Sequence, residues 1–351
     1  RETMGLNKLI ERLYLKVFVG IATSYTGTDV VVEMIKGGDV KERIANRFEA
    51  GEEAKIADFL APYLAESPFH YVAYLNAAND QGALPVHNDK EAKTFIDTST
   101  TLTLSQKNKW LVYSSKLALD ELKKSFKDVG VDFIFSPFSV LNRFFTDKID
   151  TGTALYVLAE EDVISAAVFA EGQLLYGRRL ALPEEQDIGL EESEGGDSIS
   201  LSFELDVDGI EEGLELDDIN AIDDLEGLDD LHEIEDLDTL DDLDTFSEEV
   251  AEVSEISLPE EEPEAVADEP MKSFDKDYKR FQLIQTALQH YYSEPKFDSR
   301  FVESVYIADG CGVSDDLKQY LEEELFVKVY VRRIDIPTEI VDLAKMEAAD
   351  A

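Results

Sequence analysis

Apolar and β-branched positions concentrate along 15–21, 30–36 and 40–48, in runs separated by Gly, Thr and Asp, and predict three strands joined as a meander. A short helix at 6–13 precedes them. Over 52–65 the pattern changes: Ile56, Phe59, Leu60, Tyr63 and Leu64 recur at helical spacing. A strand at 70–76 follows, then a polar, mixed stretch at 77–107, with Pro85, that predicts no element. Beyond it come a strand at 110–114 and a helix marked by Leu119, Leu122, Phe126 and Val129 and closed by Gly130. A strand at 131–135 leads to a helix at 137–145 with Pro137 in its first turn. The meander pattern then returns at 154–158, 163–170 and 173–182. After residue 271 the pattern gives a long amphipathic helix at 274–292, with Tyr278, Phe281, Ile284, Leu288 and Tyr291 on one face. A strand at 302–308, a Gly-containing turn at 309–314, a helix at 315–325, a strand at 326–334 and a helix at 338–346 complete it. Two meanders, each leading on to helices and further strands, predict an internally duplicated α/β unit.

Charge divides this pattern. The chain has 78 acidic and 32 basic residues among 351, and residues 183–271 hold 37 of the acids and no Lys or Arg. The remainder carries 78 − 37 = 41 acids against 32 bases. A block of like charge with few aromatics buries too little apolar surface to offset its ordering entropy, so 183–271 is expected to be a disordered tether. The expected organisation is a first half at 14–150 with a small subdomain at 77–130, the start of a second half at 151–182, the tether, and the rest of the second half at 272–346. Inserting the tether in place of a short loop costs only about 2 kcal/mol of closure entropy. Inside it, apolar residues from Leu216 to Phe246 recur at every third position. Each such step slips about 60° around a helix, so no apolar face forms. The segment is either a solvated spacer or a string of apolar contacts for a partner.

Little in the chain carries recognisable chemistry. The lone Cys311 excludes an internal disulfide and suits a reducing compartment. His70, His87, His232 and His290 are scattered, without zinc spacing. The longest apolar stretch, 155–175, is interrupted by Glu160, Glu161, Asp162 and Glu171, so no membrane span is expected. The net charge of −46 argues against nucleic-acid binding. Residues 204–215 nearly fit a calcium loop, but begin with Glu and lack flanking helical patterns. No nucleophile elbow, Walker A loop or GxGxxG appears. Asp309-Gly-Cys-Gly312 lies between a strand and a helix, where backbone amides can meet a phosphate, although a plain tight turn fits as well. Cys311 beside that helix start is a candidate for a lowered pKa, without a nearby His or Lys to activate it.

Four stretches resemble the actin-like fold, and within it the PilM family of type IV pilus assembly proteins and the cytoplasmic domain of the GspL secretion proteins. Val17-Phe-Val-Gly-Ile-Ala-Thr-Ser24 is similar to a first strand and phosphate loop; residues 122–145 resemble the end of the first half; residues 154–179 resemble the second phosphate-loop meander; and Val305 to Leu317, with Gly310 and Gly312, resembles the adenosine turn and its helix. The resemblance implies an actin-like (ribonuclease H-like) duplicated domain, with Thr23, Ser24, Gly310 and Gly312 as remnants of nucleotide loops and ATP as the possible cofactor. It also implies loss of hydrolysis. Ala22 stands where the family's first loop has an Asp near the metal, Ser24 replaces a Gly, and Leu158-Ala-Glu-Glu161 replaces the second Asp-x-Gly, with Glu160 or Glu161 as the alternative carboxylate. The tether emerges where the family builds the second wall of its cleft. No catalytic or metal-binding residue is therefore expected. The resemblance implies a cytoplasmic pseudo-ATPase scaffold, held at the inner membrane by a PilN-like single-span protein, in a type IV pilus, type II secretion or flagellar-motor-associated assembly. The absence of a span after Ile334 favours PilM over GspL. The rival expectations are an active ATPase of the same machinery, or an acidic adaptor that binds basic proteins through 183–271.

Overall fold

The computed structural model describes residues 14–107, 109–181 and 269–350. The helix expected at 6–13, the acidic tether, its period-three ladder and the loop at 204–215 lie outside them.

The β-branched runs of the first meander build β1 (Leu15–Thr23), β2 (Gly27–Lys36) and β3 (Asp39–Glu49), paired antiparallel. β4 (Phe69–Leu75) and β8 (Phe133–Phe135) then add in parallel, giving the order β3-β2-β1-β4-β8. The second meander repeats the plan. β9 (Thr153–Ala159), β10 (Val163–Ala170) and β11 (Gln173–Ala181) pair antiparallel, and β12 (Ser304–Asp309) and β13 (Lys328–Arg333) add in parallel beside β9. The run β11-β10-β9-β12-β13 has the order of the first sheet, so the duplication is present in the topology. Three tyrosines at one register, Tyr156, Tyr306 and Tyr330, stack at 5.2 and 5.0 Å across β9, β12 and β13.

The stretch at 77–107, expected to hold no element, carries β5 (Gln81–Leu84), a one-turn helix α2 (Asp89–Ala92, after α1 at Glu53–Ala65) and β6 (Thr101–Gln106). With β7 (Trp110–Ser115) these strands extend the second sheet rather than the first: β5 pairs with β11, and the full order is β13-β12-β9-β10-β11-β5-β7-β6. β5 has only four residues, none of them β-branched or aromatic, and all four are buried. Its Gln81 is satisfied internally, donating to the carbonyls of Asn76 and Ala78 at 2.7 and 2.6 Å.

Helices cover both sheets. α1 sets Ile56 and Leu60 against Val17, Val19 and Val30, and α3 (Lys116–Ser125) lies beside the same cluster through Leu122. α5 (Glu269–Ser293) buries Phe281, Ile284, Leu288 and Tyr291 against β9 and β10, together with α6 (Asp315–Leu325). Tyr278, expected on that face, is half-exposed and stacks on Phe281. The central core joins Phe18, Phe138, Leu141, Tyr156 and Phe169 with Ile340, Val341 and Ala344. It is filled by α4 (Pro137–Phe144) and α7 (Ile336–Asp350). Thus the last helix in sequence packs against the first strand. Gly20 permits this approach, because a Cβ there would overlap the Pro337 carbonyl and come within 2.9 Å of the Val341 methyl. Ion pairs fix α7 further: Lys345 to Glu33 and Asp342, and Arg143 to Asp342 at 2.5 Å and Glu339 at 3.3 Å. Among the described residues no helix is long and apolar enough to cross a membrane.

Candidate functional site: a cleft between the two meander turns

The turn after β1 and the turn after β9 face each other across a cavity of about 360 Å³. Its lining includes Ala22, Thr23 and Ser24 from the first turn, Asp29 and Arg47 from β2 and β3, Glu160 and Glu161 from the second turn, Gly310, and Asp335 to Pro337 at the start of α7. Of the residues singled out in the sequence, Thr23, Ser24 and Gly310 meet here. Gly312 does not line the cavity. It takes a left-handed conformation (φ +86°) and turns its Cα towards the Arg333 guanidinium. Gly310 has a packing role as well, since a Cβ there would lie 2.8 Å from the Ile336 side chain.

Glu161 bridges the two turns. Its carboxylate accepts hydrogen bonds from Ser24 Oγ at 3.1 Å, from Thr26 Oγ1, and from Arg47 Nη2 at 2.9 Å. Arg47 also reaches Asp29 at 3.2 Å and Thr26 at 2.7 Å. Burial pushes the Glu161 carboxyl up, but the bonds from Thr26, Arg47 and Ser24 outweigh it and hold the group below the ordinary Glu value. Asp29 goes the other way: burial raises it, Arg47 opposes, and the neighbouring Glu161 and Asp335 add to the rise.

The second turn is anchored from beneath. Glu160 forms a two-pronged ion pair with Arg179, 2.5 and 3.3 Å, both side chains buried, and Arg179 also donates to Ser165 Oγ at 2.9 Å. Arg280 of α5 donates to the Glu161 carbonyl at 2.9 Å and pairs with the buried Asp277 at 2.6 Å.

The glycine turn carries its own anion. Asp309 Oδ1 accepts from the backbone amides of Cys311, Gly312 and Val313 at 3.1, 2.6 and 3.0 Å, and Asp309 Oδ2 pairs with Arg333 at 3.1 Å. At the start of α6, Asp277 accepts from the Ser314 amide at 2.8 Å, Ser314 Oγ caps Asp316, and Asp315 and Asp316 fill the first turn. Burial pushes the Cys311 thiol up to about 11, opposite to the lowered value expected beside a helix start.

Adenosine triphosphate fits these residues poorly. The three sets of donors suited to an anion are the hydroxyls of the first turn, the amides at 311–313 and the start of α6. Each is already satisfied by a carboxylate of the chain: Glu161, Asp309 and Asp277. The cavity lining adds Asp29, Glu160 and Asp335 but only one cation, Arg47. Among the described residues no group of three His, Cys, Asp or Glu side chains is placed to hold a metal ion.

Two meander sheets of identical order, closed by a last helix returned to the first strand, define an actin-like fold. The chain is similar in structure to a protein of the PilM–PilN type IV pilus biogenesis complex, at 12% identity over 93% of this chain and 98% of that one, with a TM-score of 0.50. It is also similar to a Bacteroides thetaiotaomicron protein of actin-like ATPase fold and unknown function, at 10% identity over 93% of this chain and 96% of that one, TM-score 0.44. These likenesses bear on the fold alone. The chain belongs to the family described as domain of unknown function DUF8341, whose model matches residues 155–349. A second model, domain of unknown function DUF8569, matches residues 14–142. No curated protein matches.

Proposed function

We propose that the chain is an actin-like scaffold that neither binds nor hydrolyses ATP. The observation that carries this reading is the Glu161 carboxylate seated between the two turns, taking the hydroxyls and the guanidinium that a bound phosphate would use. A polyphosphate entering the cleft must displace it and pass Asp29 and Asp335, whose partners Arg47 and Arg43 are already engaged by carboxylates. With no hydrolysis to drive a closure, the latch through Ser24, Thr26, Arg47 and Glu161 holds the two halves of the sheet framework in one arrangement. A fixed frame suits a protein that presents surfaces to other components.

In this reading the chain works in the cytoplasm, held at an inner membrane by a PilN-like protein with one span and a short cytoplasmic peptide. The related structure is a complex with PilN, which supports that partner class. The machine would be a pilus, a secretion system or a related envelope assembly. Purified full-length protein is expected to bind the cytoplasmic peptide of a single-span membrane protein encoded beside it, with micromolar affinity in fluorescence anisotropy. Absence of binding to any such neighbouring peptide would overturn the partner assignment while leaving the cleft chemistry untouched.

A further inference from the structure

β6 is the outermost strand of the eight-stranded sheet and pairs only with β7. The Lys116 amide donates to the Thr100 carbonyl at 3.0 Å, and Leu102 stands opposite Ser114 and Leu104 opposite Val112. Antiparallel alternation then turns the backbone of Leu102 and Leu104 towards β7, and the amides and carbonyls of Thr101 and Thr103 towards the open side. The side chains show the same incompleteness. Val112 and Trp110 are buried in the central core, yet Leu104, beside Val112 on the same face, is 61% exposed, and Leu102 is 50% exposed. The apolar row of this face runs past the last strand of the sheet.

Edge strands are usually protected by a lysine, a proline, a bulge or a covering loop. Thr101–Gln106 reads Thr-Leu-Thr-Leu-Ser-Gln, with no charge and no proline, and its pairing with β7 has no bulge. The surrounding charge is distinctive too. In a chain of 78 acids, no acid falls between Asp97 and Asp120, whereas Lys107, Lys109 and Lys116 do, at both ends of β6. All three lysines are exposed. With a screening length of about 8 Å, they outnumber Asp89, which accepts from Thr103 Oγ1 at 2.5 Å, in setting the field that a docked strand meets.

We propose that β6 is a strand-addition site for a partner protein. The occupant is an extended segment of that partner in which apolar and acidic side chains alternate. Its backbone bonds to Thr101 and Thr103, its apolar side chains cover Leu102 and Leu104, and its carboxylates meet Lys107, Lys109 and Lys116. A second copy of this chain is the weaker fit, because its β6 would bring a second set of Lys107, Lys109 and Lys116 against the first.

The test is hydrogen exchange by mass spectrometry on the full-length protein, with synthetic peptides alternating valine with glutamate or valine with lysine. The glutamate peptide is expected to slow exchange of the Thr101 and Thr103 amides and to bind about tenfold or more tighter than the lysine peptide. Leu104→Glu should abolish that protection and leave the melting temperature unchanged, since Leu104 is largely solvent-exposed. Three results would overturn the proposal: no protection by the glutamate peptide, equal binding of both peptides, or amides of Thr101 and Thr103 already protected in the protein alone. A dimer that Leu104→Glu dissolves would also overturn it, by assigning the edge to a second copy.

Discussion

Replacing Glu160 by alanine is expected to lower stability by about 3–5 kcal/mol, because it strands the Arg179 guanidinium in the core without its counter-charge. Arg179 would keep only the Ser165 hydroxyl, a single neutral partner at 2.9 Å. Glu160→Gln retains acceptor capacity but not charge, so its cost should be smaller. Adding Arg179→Met to Glu160→Ala should restore most of the loss, since a buried ion pair replaced as a unit by apolar groups is often nearly neutral. Urea denaturation of the four proteins checks this. Equal stability of Glu160→Ala and the parent would refute the account of the turn. The consequence reaches the cleft, because Glu160 anchors the turn whose next residue is the latching Glu161.

The second large effect is expected at Gly20. Alanine there would push a methyl into the Pro337 carbonyl and the Val341 side chain, so α7 must move off β1 or the strand must bend. Overpacking against backbone costs about 3 kcal/mol or more, since no rotamer change relieves it. Alanine at Gly37, where nothing lies within 4 Å of the added methyl, meets no clash and only the strain of φ +69°. Gly20→Ala should therefore be the more damaging of the two in thermal unfolding. The reverse order would contradict the close packing of α7 on β1.

The sequence pattern foretold the two meanders because most of their strands are long apolar, β-branched runs, buried almost throughout and bounded by turn residues. The duplication was legible for the same reason. β5 escaped because it has only four residues, Gln81–Leu84, and none of them is β-branched or aromatic. β6 is short and polar apart from Leu102 and Leu104, and those two lie beyond the end of the buried face to which Val112 and Trp110 belong. Thr23, Ser24, Gly310 and Gly312 were singled out from short local stretches, and the first three line the cleft while Gly312 does not. Arg47 was not, for it lies in β3 and acts on a turn in the other meander, and no local spacing encodes that pairing. Asp309 was visible as part of a glycine turn, but its role as the turn's own anion depends on the path of residues 311–313. Gly20 sits in a stretch similar to a phosphate loop, whereas its close contact is with a helix at the far end of the chain.

The central claim is that the chain's own carboxylates hold the places a nucleotide would take. Its most direct test is titration of magnesium ATP into the full-length protein by calorimetry, with thermal unfolding alongside. A site saturated at about 100 times its dissociation constant would add about 2.7 kcal/mol and raise the melting temperature by several degrees. The account predicts no saturable heat and no shift at millimolar nucleotide. A one-to-one binding isotherm with a matching rise in melting temperature would contradict it.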